Sequence, residues 1–174
     1  MGKKRTVYLN NIWKDHGVRK EVKLRLVRAI VWPVMLYGAE AWTIRASDAK
    51  RMEAAEMWVY RKLLQVTWRD RITTENILHS LGIKRELLAL VKKRKLAFFG
   101  HVCRGEGLTR DLIAGYHPGK RRRGRPRRQY IDYVKAWTNS TMVQAIRRTV
   151  DRDKWRVLVK RAAEGGPSSI PGTP

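Results

Sequence analysis

Apolar residues recur at helical spacing along most of the chain, and nowhere do they alternate with polar ones as a half-buried strand requires. From about Val18 to Tyr37, the residues Val22, Leu26, Val27, Ile30, Val31, Val34 and Met35 fall mostly three and four apart. One helical face therefore turns toward a core. Pro33 has no N–H to donate, so a kink or a division is expected there, and Gly38 is a natural stop. Ser47 or Asp48 can cap a second helix, whose inward stripe reads Met52, Ala55, Val59, Leu63 and Val66, with Arg51, Arg61 and Lys62 in water. A short third helix runs from Thr73 or Thr74 to about Leu81 and ends at Gly82. A fourth runs from about Lys84 to Cys103, with Leu87, Leu88, Val91, Phe98, Phe99 and Val102 inward.

The periodicity then breaks. Gly105, Gly107, Gly115, Gly119 and Gly124 mark 104–128 as a long connection. Helical spacing resumes near Tyr130 with Ile131, Val134 and Trp137, and continues from Met142 to Val150. Asp151 can cap a last helix carrying Trp155, Leu158 and Val159. The Gly-, Pro- and Ser-rich end is expected to be disordered. The expected fold class is all-α, an irregular multi-helix bundle with a long basic Gly/Arg-rich connection and a disordered C-terminal tail. The expected divisions are a helical segment at 1–45, a helical core at 46–103, the connection at 104–128, C-terminal helices at 129–163 and the tail at 164–174.

Charge adds a partner to this picture. Thirty-nine Lys and Arg stand against 15 acids, a net charge of +24 over 174 residues. A chain this basic repels itself unless it meets a polyanion, so DNA, RNA or both are the expected partners. With 43% hydrophobic residues and seven Trp, the chain is not globally disordered. A single Cys103 excludes an internal disulfide and points to a reducing compartment. No segment approaches the roughly 18–20 apolar residues of a membrane span, and the basic N-terminus lacks the apolar stretch of a signal peptide. The expected location is the nucleus or a cytoplasmic ribonucleoprotein.

Two basic runs are the candidate contacts. Lys120, Arg121, Arg122, Arg123, Gly124, Arg125, Pro126, Arg127 and Arg128 place seven cations in nine residues. Arginines at 123 and 125 can enter a narrow A·T-rich minor groove, while Gly124 between them lets the backbone approach the groove floor. Pro126 biases Arg125 toward an extended conformation, giving the flat cationic ribbon of an AT-hook. Lys92, Lys93, Arg94 and Lys95 interrupt the fourth helix. Four consecutive cations cover all sides of a helix, so at least one is expected along the core edge with its stem buried.

Catalytic patterns are missing from the sequence. Asp70 lies between Arg69 and Arg71, which favours an ion pair over a metal site, and Asp151 and Asp153 read as a helix start. His101 and Cys103 have no second pair at zinc-ligand spacing, and His16, His79 and His117 are scattered. No Gly-rich phosphate loop follows a strand, so no cofactor and no catalytic residue is expected. Trp32, Trp42, Trp58, Trp137 and Trp155 sit inside apolar patterns and read as packing residues. Trp68, beside Arg69 and Arg71, is the best candidate for exposure next to charge, with base stacking as its alternative role.

The order of motifs carries a resemblance. Leu36-Tyr37-Gly38-Ala39-Glu40-Ala41-Trp42-Thr43, Glu56-Met57-Trp58, Trp68-Arg69-Asp70-Arg71, Phe99-Gly100-His101-Val102, Arg123-Gly124-Arg125-Pro126 and Asp151-Arg152-Asp153-Lys154-Trp155-Arg156 follow one another in the chain. This series resembles the C-terminal region of non-LTR, LINE-type retrotransposon endonuclease–reverse transcriptases, closest to RTE-like elements. The resemblance implies that residues to about Ile44 match the end of the polymerase thumb and the rest the post-polymerase region. It implies upstream reverse transcriptase and endonuclease domains as partners, and no polymerase or nuclease centre in this stretch. A first helix at such a junction leaves room for self-association through an uncovered apolar face. A nuclear protein-interaction or structural module, with the basic run as a localisation signal only, is the alternative from another class. A polybasic membrane-surface protein acylated at Gly2 is the third, with membrane contact the weakest of the three expectations.

Overall fold

The computed structural model describes residues 2–114 and 129–165, and among them all regular structure is helical. The all-α expectation holds. The chain forms two compact units, Met1–Gly38 with Ser47–Leu88, and Ala39–Ala46 with Ala89–Pro174.

In the first unit, two short helices precede the predicted ones, α1 (Gly2–Tyr8) and α2 (Asn10–Lys14). Trp13 accounts for them. Its buried indole Nε1 donates to the Thr6 carbonyl at 2.8 Å, and the Lys23 ammonium donates to the Trp13 carbonyl at 2.7 Å. These two bonds tie α1 and α2 to α3 (Lys20–Leu26). Pro33 neither breaks nor simply kinks the helical path. One turn ahead of it the helix widens into a π-turn, Val27–Val31, and the Trp32 N–H reaches five residues back to the Val27 carbonyl. Widening accommodates the missing Pro33 donor without leaving a gap in the core, and α4 (Trp32–Met35) continues. The buried set is Leu24, Val27, Val31, Trp32 and Leu36, whereas Val22 and Ile30, expected inward, are exposed.

α5 (Ala46–Leu63) buries Ala49, Met57, Val59, Tyr60 and Leu63 as its stripe, and Glu56 with them. Glu56 has a role that no pattern displays. Its Oε1 accepts from the backbone N–H groups of Glu86 at 2.7 Å and Leu87 at 3.1 Å, at the start of α7 (Leu87–Cys103). A carboxylate from a distant helix thus caps the free N–H groups there. Tyr60 Oη donates toward Glu56 at 3.0 Å and Glu86 at 2.9 Å, and Arg28 Nε meets the Glu86 carboxylate at 3.0 Å. Burial holds the Glu56 carboxyl above its ordinary pKa, although the donated N–H groups pull the other way. α6 (Thr74–Leu81) follows the sequence closely, with Thr73 Oγ1 accepting from the Asn76 N–H and Gly82 closing it in the left-handed conformation.

The second unit holds a short 3-10 turn (Ala39–Ala41), α7 apart from its first two residues, α8 (Leu108–Ala114), α9 (Tyr130–Thr138), α10 (Met142–Thr149) and α11 (Arg152–Gly165). α8 lies within the stretch expected as connection, because its glycines flank a helical segment rather than interrupt it. α9, α10 and α11 pack on one another. Their starts are specified locally: Gln129 with Asp132 and Thr141 with Gln144 form reciprocal caps, and Asp151 Oδ1 accepts from the N–H groups of Asp153 and Lys154. Asp151 is the cap the sequence suggests. Trp155 Nε1 donates to the Leu96 carbonyl at 3.0 Å, laying its indole across α7 at Gly100. Phe98, expected inward, is partly exposed, while Phe99 is fully buried. The tail expected at 164–174 lies outside the described residues from position 166 onward.

Candidate nucleic-acid interface

Helix α7 sorts the run at 92–95 by its own geometry. Residues three apart share a face, so Lys92 and Lys95 turn inward at 4% and 1% exposure, while Lys93 is exposed and Arg94 half-buried. Any phosphate contact from this run therefore falls to Lys93 and Arg94. The expectation that at least one of the four lies buried is met twice.

Lys95 has an internal task. Its Nζ donates to the carbonyls of Glu40 at 2.9 Å and Trp42 at 2.7 Å, and lies 4.2 Å from the Tyr130 ring centroid and 5.4 Å from that of Tyr133. Tyr130 Oη donates to the Lys95 carbonyl at 2.7 Å, and Tyr133 Oη to the Ile44 carbonyl at 2.8 Å. Three carbonyls of the 39–46 segment thus find donors on α7 and α9, which is why that segment belongs to this unit. Two carbonyl dipoles and two ring faces stand in for the water the ammonium has lost. Desolvation still lowers its pKa to about 8, with the Glu40 charge opposing. Lys92 sits 5.9 Å from the Trp137 ring centroid, and burial lowers its pKa also.

This geometry gives a prediction. Lys95→Met leaves the Glu40 and Trp42 carbonyls without that donor and should cost about 1–3 kcal/mol. The folded lysine loses its proton near pH 8 and the unfolded one near 10.5, so between these the unfolded chain binds more protons. Wild-type stability should then rise relative to the variant as pH climbs from 8 toward 10. Urea midpoints at about pH 7 and about pH 9.5 check it, and an unchanged gap between the two proteins would contradict it.

The other run, Lys120 to Arg128, lies outside the described residues. Pattern reading missed a further basic surface on α11. Arg152, Arg156 and Lys160, four residues apart, are all exposed along one face, and the spacing itself was the available signal. Arg156 meets Asp153 at 3.3 Å and Lys154 meets Asp151 at 3.0 Å, so both acids are engaged with their own helix. Among the described residues, Lys23, Lys92 and Lys95 are the buried cations.

The remaining candidates resolve by burial. His101 is exposed and Cys103 buried, so the two do not face a common ligand, and burial pushes the Cys103 thiol up to about 11. Among the described residues no group of three His, Cys, Asp or Glu is placed to hold a metal ion. No helix among them is long and apolar enough to cross a membrane. Asp70 turns to Thr67 instead of its neighbouring arginines, accepting from the Thr67 N–H at 2.6 Å and Oγ1 at 2.9 Å. Trp68 is 85% exposed, whereas Trp13, Trp32, Trp137 and Trp155 are buried.

Over 158 residues the chain is 30% identical to a Caenorhabditis elegans protein, F52C9.6, whose name describes it as transposon-derived and uncharacterised. The match takes in 86% of this chain and 54% of that protein, so the chain spans about half the length of its relative. No protein-family model matches the chain. No solved structure matches it.

Proposed function

We propose that the chain is a transposon-derived, nucleic-acid-binding module corresponding to the C-terminal region of a non-LTR retrotransposon reverse transcriptase. In that setting it holds template RNA or target DNA near the upstream polymerase and endonuclease, and carries no catalytic centre of its own. The observation that carries this reading is the net charge of +24 on a chain similar, over 86% of its length, to a transposon-derived protein. The ordered motifs at 36–43, 68–71, 99–102 and 151–156 support the narrower assignment. The α11 row of Arg152, Arg156 and Lys160, with Lys93, supplies exposed cations on helices. The run at 120–128 supplies the densest charge in the sequence. Such a surface binds the phosphate backbone first and reads sequence only where a side chain reaches the bases.

The hook discriminates between reading and mere attraction. Arg123 and Arg125 flank Gly124 and can both reach a minor-groove floor, whereas Lys120, Arg121 and Arg128 meet phosphates. Arg125→Ala should reduce the preference for A·T-rich over G·C-rich duplex. Arg121→Ala should weaken both about equally and shallow the log–log salt slope by about one unit. Gly124→Val should resemble the Arg125 change, because a Cβ holds the backbone off the groove. Equilibrium titrations of each variant with both duplexes at fixed salt check it. Equal losses on every duplex would reduce the segment to a basic tether, as the localisation-signal alternative requires.

A further inference from the structure

The turn after α5 displays a largely exposed aromatic ring, Trp68. Gln65 leaves α5 in the left-handed conformation, and Thr67 opens a short 3-10 turn, Trp68–Asp70. That turn is closed on itself. The Asp70 carboxylate takes the Thr67 N–H and hydroxyl, and the Asp70 N–H returns to the Thr67 carbonyl at 3.3 Å. Arg71 then adopts a left-handed φ of 49°, uncommon for a residue with a side chain. A brace of this kind fixes the direction in which Trp68 leaves the backbone.

Trp68 does not fold back. At 85% exposure its ring has the Arg69 guanidinium 5.6 Å from its centroid as neighbour, with exposed Arg71 two residues on. An indole left in water forgoes the gain that its burial would bring. The chemistry on show is a flat π-face next to two permanent cations, with the one acid between them already engaged by Thr67. That combination fits a nucleotide, whose base stacks on the indole while its phosphate pairs with the guanidinium groups.

We infer that Trp68, Arg69 and Arg71 form a stacking site for an unpaired nucleotide of single-stranded RNA or DNA. Paired bases are stacked on their neighbours and offer no free face, so the site selects single strands or loops over duplex. This rests on the nucleic-acid reading above and deepens it by naming the class of strand. The run at 120–128 is a different stretch of the sequence, and its expected ligand is the duplex groove.

The full chain, titrated with fluorescein-labelled oligouridylate of about twelve nucleotides and with a duplex of equal length, tests it. Trp68→Ala should lose about tenfold in affinity for the oligouridylate and keep its duplex affinity, and Trp68→Phe should recover most of the loss. Since the ring is exposed, circular dichroism of Trp68→Ala should match that of the wild type. Arg69→Ala should weaken single-strand binding and leave duplex binding nearly intact. Unchanged oligouridylate affinity in Trp68→Ala, with both ligands still bound, overturns this inference and spares the wider reading. A wild-type chain that binds neither ligand overturns both. Loss of binding to phosphatidylserine vesicles in Trp68→Ala, with oligouridylate unaffected, would assign the ring to a membrane surface and overturn the site as well.

Discussion

Gly100→Ala should destabilise the protein, although alanine ordinarily stabilises a helix interior by about 0.5–1 kcal/mol over glycine. Position 100 lies within α7, under the indole of Trp155. A Cβ built there falls inside the van der Waals envelope of Trp155 Nε1 and Cδ1. The ring is planar and rigid, so it cannot yield at one atom as a lysine tip would. Either the indole or α11 must move, and the bond from Trp155 Nε1 to the Leu96 carbonyl is lost with it. Overpacking costs about 1–3 kcal/mol and an unmade buried bond a similar amount, against the small propensity gain. We expect a net loss of about 2–4 kcal/mol for Ala and more for Val. Urea unfolding of the single variants, of Trp155→Ala and of the double variant measures it. The Gly100 penalty should largely disappear in the Trp155→Ala background, since the two residues touch. A raised midpoint in Gly100→Ala would refute the packing.

That contact also gives a physical reason for two motifs far apart in the sequence. The glycine of Phe99-Gly100-His101-Val102 makes room for the tryptophan of Asp151-Arg152-Asp153-Lys154-Trp155-Arg156. The motif order carried the resemblance, but pattern alone could not say that these two pieces meet.

Local chemistry was the legible part. Thr73, Gly82 and Asp151 end or start helices through bonds to residues within a few positions, and each does what its residue type suggests. Trp68's exposure was legible too, from the arginines around it. What escaped depends on partners distant in the chain. That one of the four cations at 92–95 would be buried was legible, but not that Lys92 and Lys95 were the two, because their lining, Trp137, Tyr130 and the Glu40 and Trp42 carbonyls, comes from other segments. The capping role of Glu56 was not legible because the N–H groups it caps, those of Glu86 and Leu87, lie far along the chain. Val22 and Ile30 were placed inward with their apolar neighbours, whereas the buried face runs through Leu24, Val27 and Val31. The cations Arg152, Arg156 and Lys160 stand four apart in the sequence, a spacing that α11 turns into a row.

The proposed function depends on whether this charge meets nucleic acid. Salt dependence is the larger of the expected binding effects. If about six cations contact phosphates, each releases condensed counterion, and the log–log slope of affinity against salt should lie near about −5. Affinity for duplex DNA should then fall roughly a thousandfold between about 50 and about 200 mM salt. The measurement is a fluorescence-anisotropy titration of the full chain with a labelled duplex across that range. A steep linear slope of about −5 is the predicted result. No binding at the lowest salt, or an affinity that barely changes across the range, would contradict a phosphate-binding surface and with it the proposed function.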